Sequence, residues 1–242
     1  MNKNKFAIIS GASRGIGLAL SEYFVKHNYD IAMIARDIDK LTHAKETLTG
    51  LNKNVSITVH DLDVSDSTKT YETIQTIIKN KGRLDVLFNN AGIAHFGTSE
   101  LSLSDFEKMM SINVNGLFAA AKAAAEVMKQ QKSGYIFNLA SMSGKRTFPG
   151  SGGYCASKFA VVGLSEALFQ EMAAYDVKVT AICPSLVDTS MTAWSDITND
   201  KKIQLDDIVK TVDFCLNLSS HAVLSSIDVQ CREFIKRVHK LQ

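Results

Sequence analysis

Proline and charge of one sign are scarce in this sequence. Only 2 of its 242 residues are proline, and 27 Lys+Arg against 25 Asp+Glu leave a formal charge of +2. With a charge so near zero and basic residues scattered along the chain, counter-ion-driven binding to nucleic acid or to an anionic membrane surface is excluded as a leading function. The four cysteines, Cys155, Cys183, Cys215 and Cys231, lie far apart with no C-x-x-C spacing. That pattern argues against a metal site or a disulfide framework and for a reduced, cytoplasmic setting. No apolar run approaches the ~18 residues of a membrane span. The opening Phe6-Ala7-Ile8-Ile9 imitates a signal peptide, but Ser10, Gly11 and Arg14 cut it short.

What the chain does have is alternation. Short apolar or β-branched runs at 6–9, 31–34, 55–59, 86–88, 135–137, 177–182 and, most weakly, 226–229 are separated by helical patterns at 15–27, 38–49, 66–80, 104–131, 154–175 and 205–218. Strands apolar on both faces, alternating with helices, predict an α/β fold with a parallel seven-stranded sheet and helices on both faces. Asp66 and Ser104 suit helix N-caps. No linker or repeat interrupts the pattern, so residues 1–242 read as one domain, with a mobile, substrate-facing loop over 188–203.

Directly after the first strand comes Ser10-Gly11-Ala12-Ser13-Arg14-Gly15-Ile16-Gly17, with a helical pattern starting inside it. Glycines at this place permit a tight turn and close backbone approach to a pyrophosphate, which a helix N-terminus then favours. The spacing is G-x3-G-x-G, and alone it is also compatible with a plain strand-to-helix connection. Taken with Asn89-Asn90-Ala91-Gly92 after the fourth strand and Tyr154-Cys155-Ala156-Ser157-Lys158, however, it resembles the compact branch of the short-chain dehydrogenase/reductase superfamily. The resemblance covers nearly the whole chain, and it implies a doubly wound Rossmann-type domain and an oxidoreductase. Extended members, among them epimerases and dehydratases, carry a different glycine spacing.

Two readings of the cofactor compete. Asp37 lies 20 residues past Gly17 (37 − 17), where an acidic residue for the ribose hydroxyls of NAD belongs. Yet the family's NAD-specific Asp aligns with Ala35, Arg36 follows it, and Arg14 stands in the glycine turn. Two guanidinium groups suit a 2′-phosphate, which favours NADP(H) over NAD(H) and leaves Asp37 as a helix N-cap. The resemblance further implies cofactor contacts from Gly11, Ser13, Gly15, Ile16, Gly17, Asp63, Val64, Asn90, Ala91 and Gly92. It adds Pro184, Val187 and Thr189 in Cys183-Pro184-Ser185-Leu186-Val187-Asp188-Thr189, where Ser185 replaces the family's Gly near the nicotinamide pocket.

Tyr154 and Lys158 are i and i+4 and share a helix face, 13 residues beyond Ser141 (154 − 141) at the end of the fifth strand. A free Tyr titrates near 10, and an ammonium ~4 Å away at an effective dielectric of ~20 supplies about 4 kcal/mol, or at most roughly three pKa units. The spacing therefore predicts Tyr154 drawn toward neutrality as a general acid/base. By resemblance, Lys158 also binds the nicotinamide ribose, Ser141 binds the substrate carbonyl and Asn113 holds a water linking Lys158 to solvent. Ser143 and Asn115 are the neighbouring alternatives, and Asn113 could instead satisfy backbone groups at a helix irregularity.

His95, Phe96, Met142, Phe148, Pro149 and residues 191–194 are candidate pocket residues, suited to a ketone, 3-oxoacyl-type or alcohol substrate with apolar bulk. Helices around 117–125 and after Tyr154 correspond to family dimerisation helices, which implies a homodimer or homotetramer. The alanines could equally serve close packing on the chain's own sheet. The family's DGG-like tail is missing, and residues 227–233 end the fold differently. A nucleotide-binding redox sensor and a redox-neutral epimerase or dehydratase are the alternative functions.

Overall fold

Strands whose residues can be buried on both faces are forced into the middle of a layered structure. The computed structural model describes residues 4–239. Its strands are β1 (Lys5–Ser10), β2 (Tyr29–Ala35), β3 (Ile57–Asp61), β4 (Val86–Asn89), β5 (Gly134–Leu139), β6 (Val177–Pro184) and β7 (Ser226–Val229), in one sheet of order β3-β2-β1-β4-β5-β6-β7. Every pairing is parallel, so the predicted seven-stranded sheet is present.

The helices are α1 (Gly15–Lys26), α2 (Ile38–Thr49), α3 (Ser67–Lys81), α4 (Leu103–Met110), α5 (Leu117–Gln131), α6 (Gly152–Ala173), α7 (Leu205–Asn217) and α8 (Arg232–His239). Alternate residues along each strand feed opposite layers. Ala7, Ile9, Met33 and Phe88 meet Leu20, Phe24, Leu41 and Val212 on one face, while Ile8, Ala32, Leu87 and Val179 meet Ile74, Ile78, Ala124 and Met172 on the other. Because β1 leads to β2 on one side and its neighbour β4 leads to β5 on the other, the connections leave these adjacent strands in opposite directions. They open a crevice at the carboxyl ends of β1 and β4, where doubly wound sheets bind ligands.

Five local features differ from the sequence-based expectation. β3 is displaced toward its C-terminus: the Ser56 amide donates to Asp30 at 2.7 Å, and pairing with β2 starts at Ile57 and continues through His60 and Asp61. Polar residues complete the strand because β2 needs partners along its length. The single helix expected over 104–131 is broken by a π-turn, Ser111–Gly116, between α4 and α5. Ser102, not Ser104, caps α4, accepting from the Asp105 amide at 3.1 Å.

The fourth difference is the loop over 188–203, which is tethered. Val187 bridges Ile203, the Asp188 amide donates to the Ile203 carbonyl at 2.8 Å, Ile197 is buried, and the buried Lys202 ammonium donates to the Thr192 carbonyl at 3.0 Å. A fifth difference is α8, which forms after β7, beyond the last expected helical pattern at 205–218. Its legible signal was Cys231, Phe234 and Ile235 at i, i+3 and i+4.

The alanines of α5 are buried within this chain, so they serve close packing on the sheet. Among the described residues no helix is long and apolar enough to cross a membrane, and no group of three or more His, Cys, Asp or Glu is placed to hold a metal ion.

Candidate active site

The turn after β1 is shaped by contacts that only glycine permits. Gly11 has φ +64°, and a Cβ there would lie 2.6 Å from Asn90 Nδ2. A Cβ on Gly17 would lie 2.3 Å from the Gly11 carbonyl oxygen, which lets α1 start hard against the turn. Asn90 donates to the carbonyls of Ser10 and Gly11 at 2.9 and 3.1 Å. The Ser10 hydroxyl accepts from the amides of Asn90 and Ala91 at 3.0 and 3.1 Å. The ends of β1 and β4 are thus knitted together under the crevice. The N-terminus of α1 carries no side-chain cap and no acidic residue in its first turn, so its amides and dipole face outward uncompensated.

A cleft of about 710 Å³ runs across this turn. It brings together Gly11, Ser13, Arg14, Gly15, Ile16, Arg36, Asp63, Val64, Asn90, Ala91, Gly92 and Thr189. Gly17 lies behind the turn, and Pro184, Val187, Tyr154 and Lys158 are outside the lining of this cleft. Arg36 stands 3.9 Å from Asp63. Burial pushes Asp63 up, but the Ser65 amide and hydroxyl, Arg36 and Lys108 outweigh it and hold the carboxyl below its ordinary value. Asp37 caps α2 by accepting from the Lys40 amide at 3.0 Å and pairs with the Lys40 ammonium.

The residues expected to handle a proton cluster at the carboxyl end of β5 and the first turns of α6. Ser141 Oγ accepts from the Ser143 amide at 3.1 Å and donates to the Pro184 carbonyl at 3.4 Å. Lys158, 5% exposed, donates to the Leu139 carbonyl at 2.8 Å, and its ammonium lies 5.8 Å from the Tyr154 ring centre. Burial lowers Lys158 to about 8, with Cys183 opposing. Burial likewise pushes Tyr154 up to about 12, against the pull of the Ser141 hydroxyl and with a push from Cys155. The expected drift of Tyr154 toward neutrality is therefore reversed. The Lys158 charge is directed at Leu139, and desolvation of the phenol outweighs what remains.

Asn113 sits in the π-turn, 1% exposed. Its Oδ1 accepts from the Ile93 amide at 2.9 Å, and its Nδ2 donates to the Ile93 carbonyl at 2.9 Å and to Ser157 Oγ at 3.1 Å. Ser157 in turn donates to the Tyr154 carbonyl at 2.8 Å. The side chain bridges the Ile93 backbone and Ser157, and so ties the segment after β4 to the turn of α6 that bears Tyr154. A Cβ on Gly92 would lie 3.2 Å from Asn113 Oδ1 and 3.8 Å from Lys158 Nζ, so the cleft lining meets both side chains there. The π-turn seats Gly116 so closely on Val64 that a Cβ would lie 2.2 Å from its carbonyl oxygen. Single π-turns of this kind are frequent at functional sites.

Residues 5–200 match the short chain dehydrogenase family. The chain belongs to that family. An uncharacterized oxidoreductase of Staphylococcus aureus (strain MRSA252) is 31% identical over 228 residues, 94% of this chain and 97% of the relative. Among solved structures, a betaketoacyl-ACP reductase from Bacteroides thetaiotaomicron superposes with a TM-score of 0.85 at 34% identity, covering 97% of this chain and 100% of that one. An alcohol dehydrogenase from the archaeon Thermococcus sibiricus, complexed with 5-hydroxy-NADP, superposes with a TM-score of 0.86 at 28% identity over 94% and 97%. This short-chain dehydrogenase is accordingly an oxidoreductase with the family's Rossmann-type sheet.

Its departures from the family pattern find local explanations. Ser185, in place of the family's Gly, turns away from the cleft: its hydroxyl accepts from the Cys231 amide at 2.6 Å and its own amide donates to the Val229 carbonyl at 2.9 Å. Ser185 therefore anchors the segment that follows β7. Val187 offers its carbonyl to Thr192 Oγ1 at 2.5 Å and to Thr189 Oγ1 at 3.5 Å. His95 Nδ1 lies 3.5 Å from Asp105, and Cys155 is buried with its thiol 3.3 Å from the Ser151 hydroxyl. Phe96 and Trp194, half exposed, meet edge-on with ring centres 5.0 Å apart, which joins the segment after β4 to the 188–203 loop. Lys40 beside Asp37 at the cleft rim was missed by motif reasoning, since a lysine in the first turn of a helix carries no signal of its own.

Proposed function

We propose that the protein is an NADP(H)-dependent oxidoreductase that transfers a hydride between nicotinamide and the carbon of a carbonyl or secondary alcohol, ketone or 3-oxoacyl in type, with Tyr154 as general acid/base. The observation that carries this reading is the clustering of Ser141, Tyr154 and Lys158 beside a cleft with Arg14 and Arg36 at its rim. The residues fit a dinucleotide: the cleft volume lies within the ~300–1,000 Å³ of ordinary ligand pockets, the uncapped start of α1 suits a pyrophosphate, and the arginines suit a 2′-phosphate. Asp37 is committed to its cap and to Lys40, which argues against the NAD reading. When bound, the cofactor supplies or takes the hydride.

The protein's own residues manage the proton. Ser141 can exchange its long bond to Pro184 for the substrate oxygen. Tyr154, with its high proton affinity, is protonated at neutral pH and donates as negative charge builds on that oxygen. The phenolate left behind is reprotonated downhill from Lys158, whose affinity is lower, and Lys158 recharges from solvent. Asn113 positions the Tyr154 turn through Ser157. Residues 188–203 form the substrate side, and Leu103, Phe106, Phe118 and Phe159, exposed on α4, α5 and α6, support self-association as a homodimer or homotetramer in the cytoplasm.

Two measurements test the reading. NADPH oxidation is followed with ketones, diketones and 3-oxoacyl thioesters, and absence of turnover across all three classes overturns it. The second is the pH profile. Below about 8 Lys158 is charged and reductive kcat/KM is level; above it the relay loses its proton and the rate falls. Oxidation needs Tyr154 deprotonated and therefore rises with pH. A reductive rate that climbs through pH 8 contradicts the assigned roles.

A further inference from the structure

Helix α8 and the two residues that lead into it, Gln230 and Cys231, take no part in the cleft or the proposed proton relay, yet they touch both segments that border the reacting centre. On one side the Phe234 ring meets Phe148 edge-on, centres 5.8 Å apart, and Gln230 accepts from the Arg146 guanidinium at 2.6 Å. Both partners lie between Ser141 and Tyr154. The Phe148 carbonyl accepts from the Ser151 hydroxyl at 2.8 Å, and that hydroxyl lies 3.3 Å from the Cys155 thiol, so the placement of Phe148 is passed to the first turn of α6. On the other side Cys231, 2% exposed, donates through its thiol to the Lys201 carbonyl at 3.3 Å and through its amide to Ser185. Arg237 pairs with Asp196. Lys201 and Asp196 belong to the tethered loop that carries Trp194. The exposed Arg237–Asp196 pair contributes little, so the linkage is carried by buried Cys231 and by Phe234, which packs on the main core.

We infer that α8 is a strap fixing the separation of these two segments, with Phe234 and Cys231 as positioning residues that determine which carbonyl compound the site accepts. The inference rests on the carbonyl-reductase reading for its substrate, and on contacts alone for the linkage. A residue that holds a loop within an ångström of its productive place controls rate and affinity without touching the reacting atoms. Filling the space beside Phe148 is a matter of shape, so Leu can substitute for Phe where Ala cannot.

The test compares full-length wild type with Phe234→Ala, Phe234→Leu and Phe148→Ala by amide hydrogen exchange without substrate and by kinetics with NADPH. In Phe234→Ala, exchange over 145–151 and 190–203 speeds up by about tenfold. The substrate KM rises on the order of tenfold, while kcat and the NADPH Kd stay within about threefold of wild type. Phe234→Leu restores all of these, and Phe148→Ala, read by exchange alone because Phe148 is itself a candidate pocket residue, speeds exchange over 190–203 from the other side of the contact, so the linkage stays testable if one variant does not fold. Unchanged exchange in either segment overturns the strap, whether or not the wild type turns over a carbonyl. Faster exchange with an unmoved KM, or a parallel loss of NADPH affinity, overturns its role in substrate selection. Wild type that shows the exchange linkage but no carbonyl turnover overturns the carbonyl-reductase reading instead.

Discussion

Tyr154→Phe lowers NADPH-dependent carbonyl reduction by on the order of 10³-fold, the worth of a well-placed general acid, or about 4 kcal/mol of transition-state stabilisation. The substitution removes one oxygen and leaves the ring. No backbone bond depends on the phenol, since α6 is held at this turn through the Tyr154 carbonyl and Ser157. Melting temperature and NADPH Kd therefore stay near wild type while kcat falls. Steady-state kinetics beside a thermal melt and a fluorescence titration separate the three quantities. Wild-type turnover in the variant eliminates Tyr154 as the proton donor. Tight NADPH binding with no turnover in either protein points to the nucleotide-sensor alternative.

Arg36→Ala is expected to weaken NADPH binding by about ten- to a hundredfold, the range of a charge-assisted hydrogen bond at ~1.5–3 kcal/mol, and to leave NADH binding unchanged. The loss is compounded by Asp63. With Arg36 3.9 Å away its charge is partly offset; without Arg36 the carboxylate faces the cofactor's phosphate uncompensated. Arg14 supplies the second guanidinium, so Arg14→Ala acts in the same direction and the double variant approaches NADH-like affinity. Binding titrations at two salt concentrations check the electrostatic origin, because the NADPH preference shrinks as salt rises. NADH binding more tightly than NADPH to the wild type, with Arg36→Ala neutral, overturns the assignment.

Motif spacing located the cleft and the candidate catalytic cluster because both depend on backbone that few residues tolerate. Gly11 and Gly17 sit where a side chain has no room, and Tyr154 and Lys158 are joined by one turn of helix. Asp37 shows the limit of counting: it stands at the right distance for a ribose contact, but the same carboxylate caps α2 and pairs with Lys40. Asn113 was legible as a residue and as a place for a helix irregularity, but its partners, Ile93 and Ser157, were not. The helix propensity of the stretch gives no sign that Gly116 must press on Val64 and open a π-turn around it.

The chain's sequence by itself determined the alternation of strands and helices, the single α/β domain and its family, the glycine turn and the order of the candidate catalytic residues. Periodicity and fixed spacings act over one element or one turn, and such information survives in one dimension. Tertiary structure alone decided the burial that sends Tyr154 up and Lys158 down in proton affinity. It also decided the tethering of the 188–203 loop, the turn of Ser185 away from the cleft and the docking of α8 across both site segments. Each of these depends on which distant residues meet and on how much water is excluded between them, and neither quantity is written in the local order of residues.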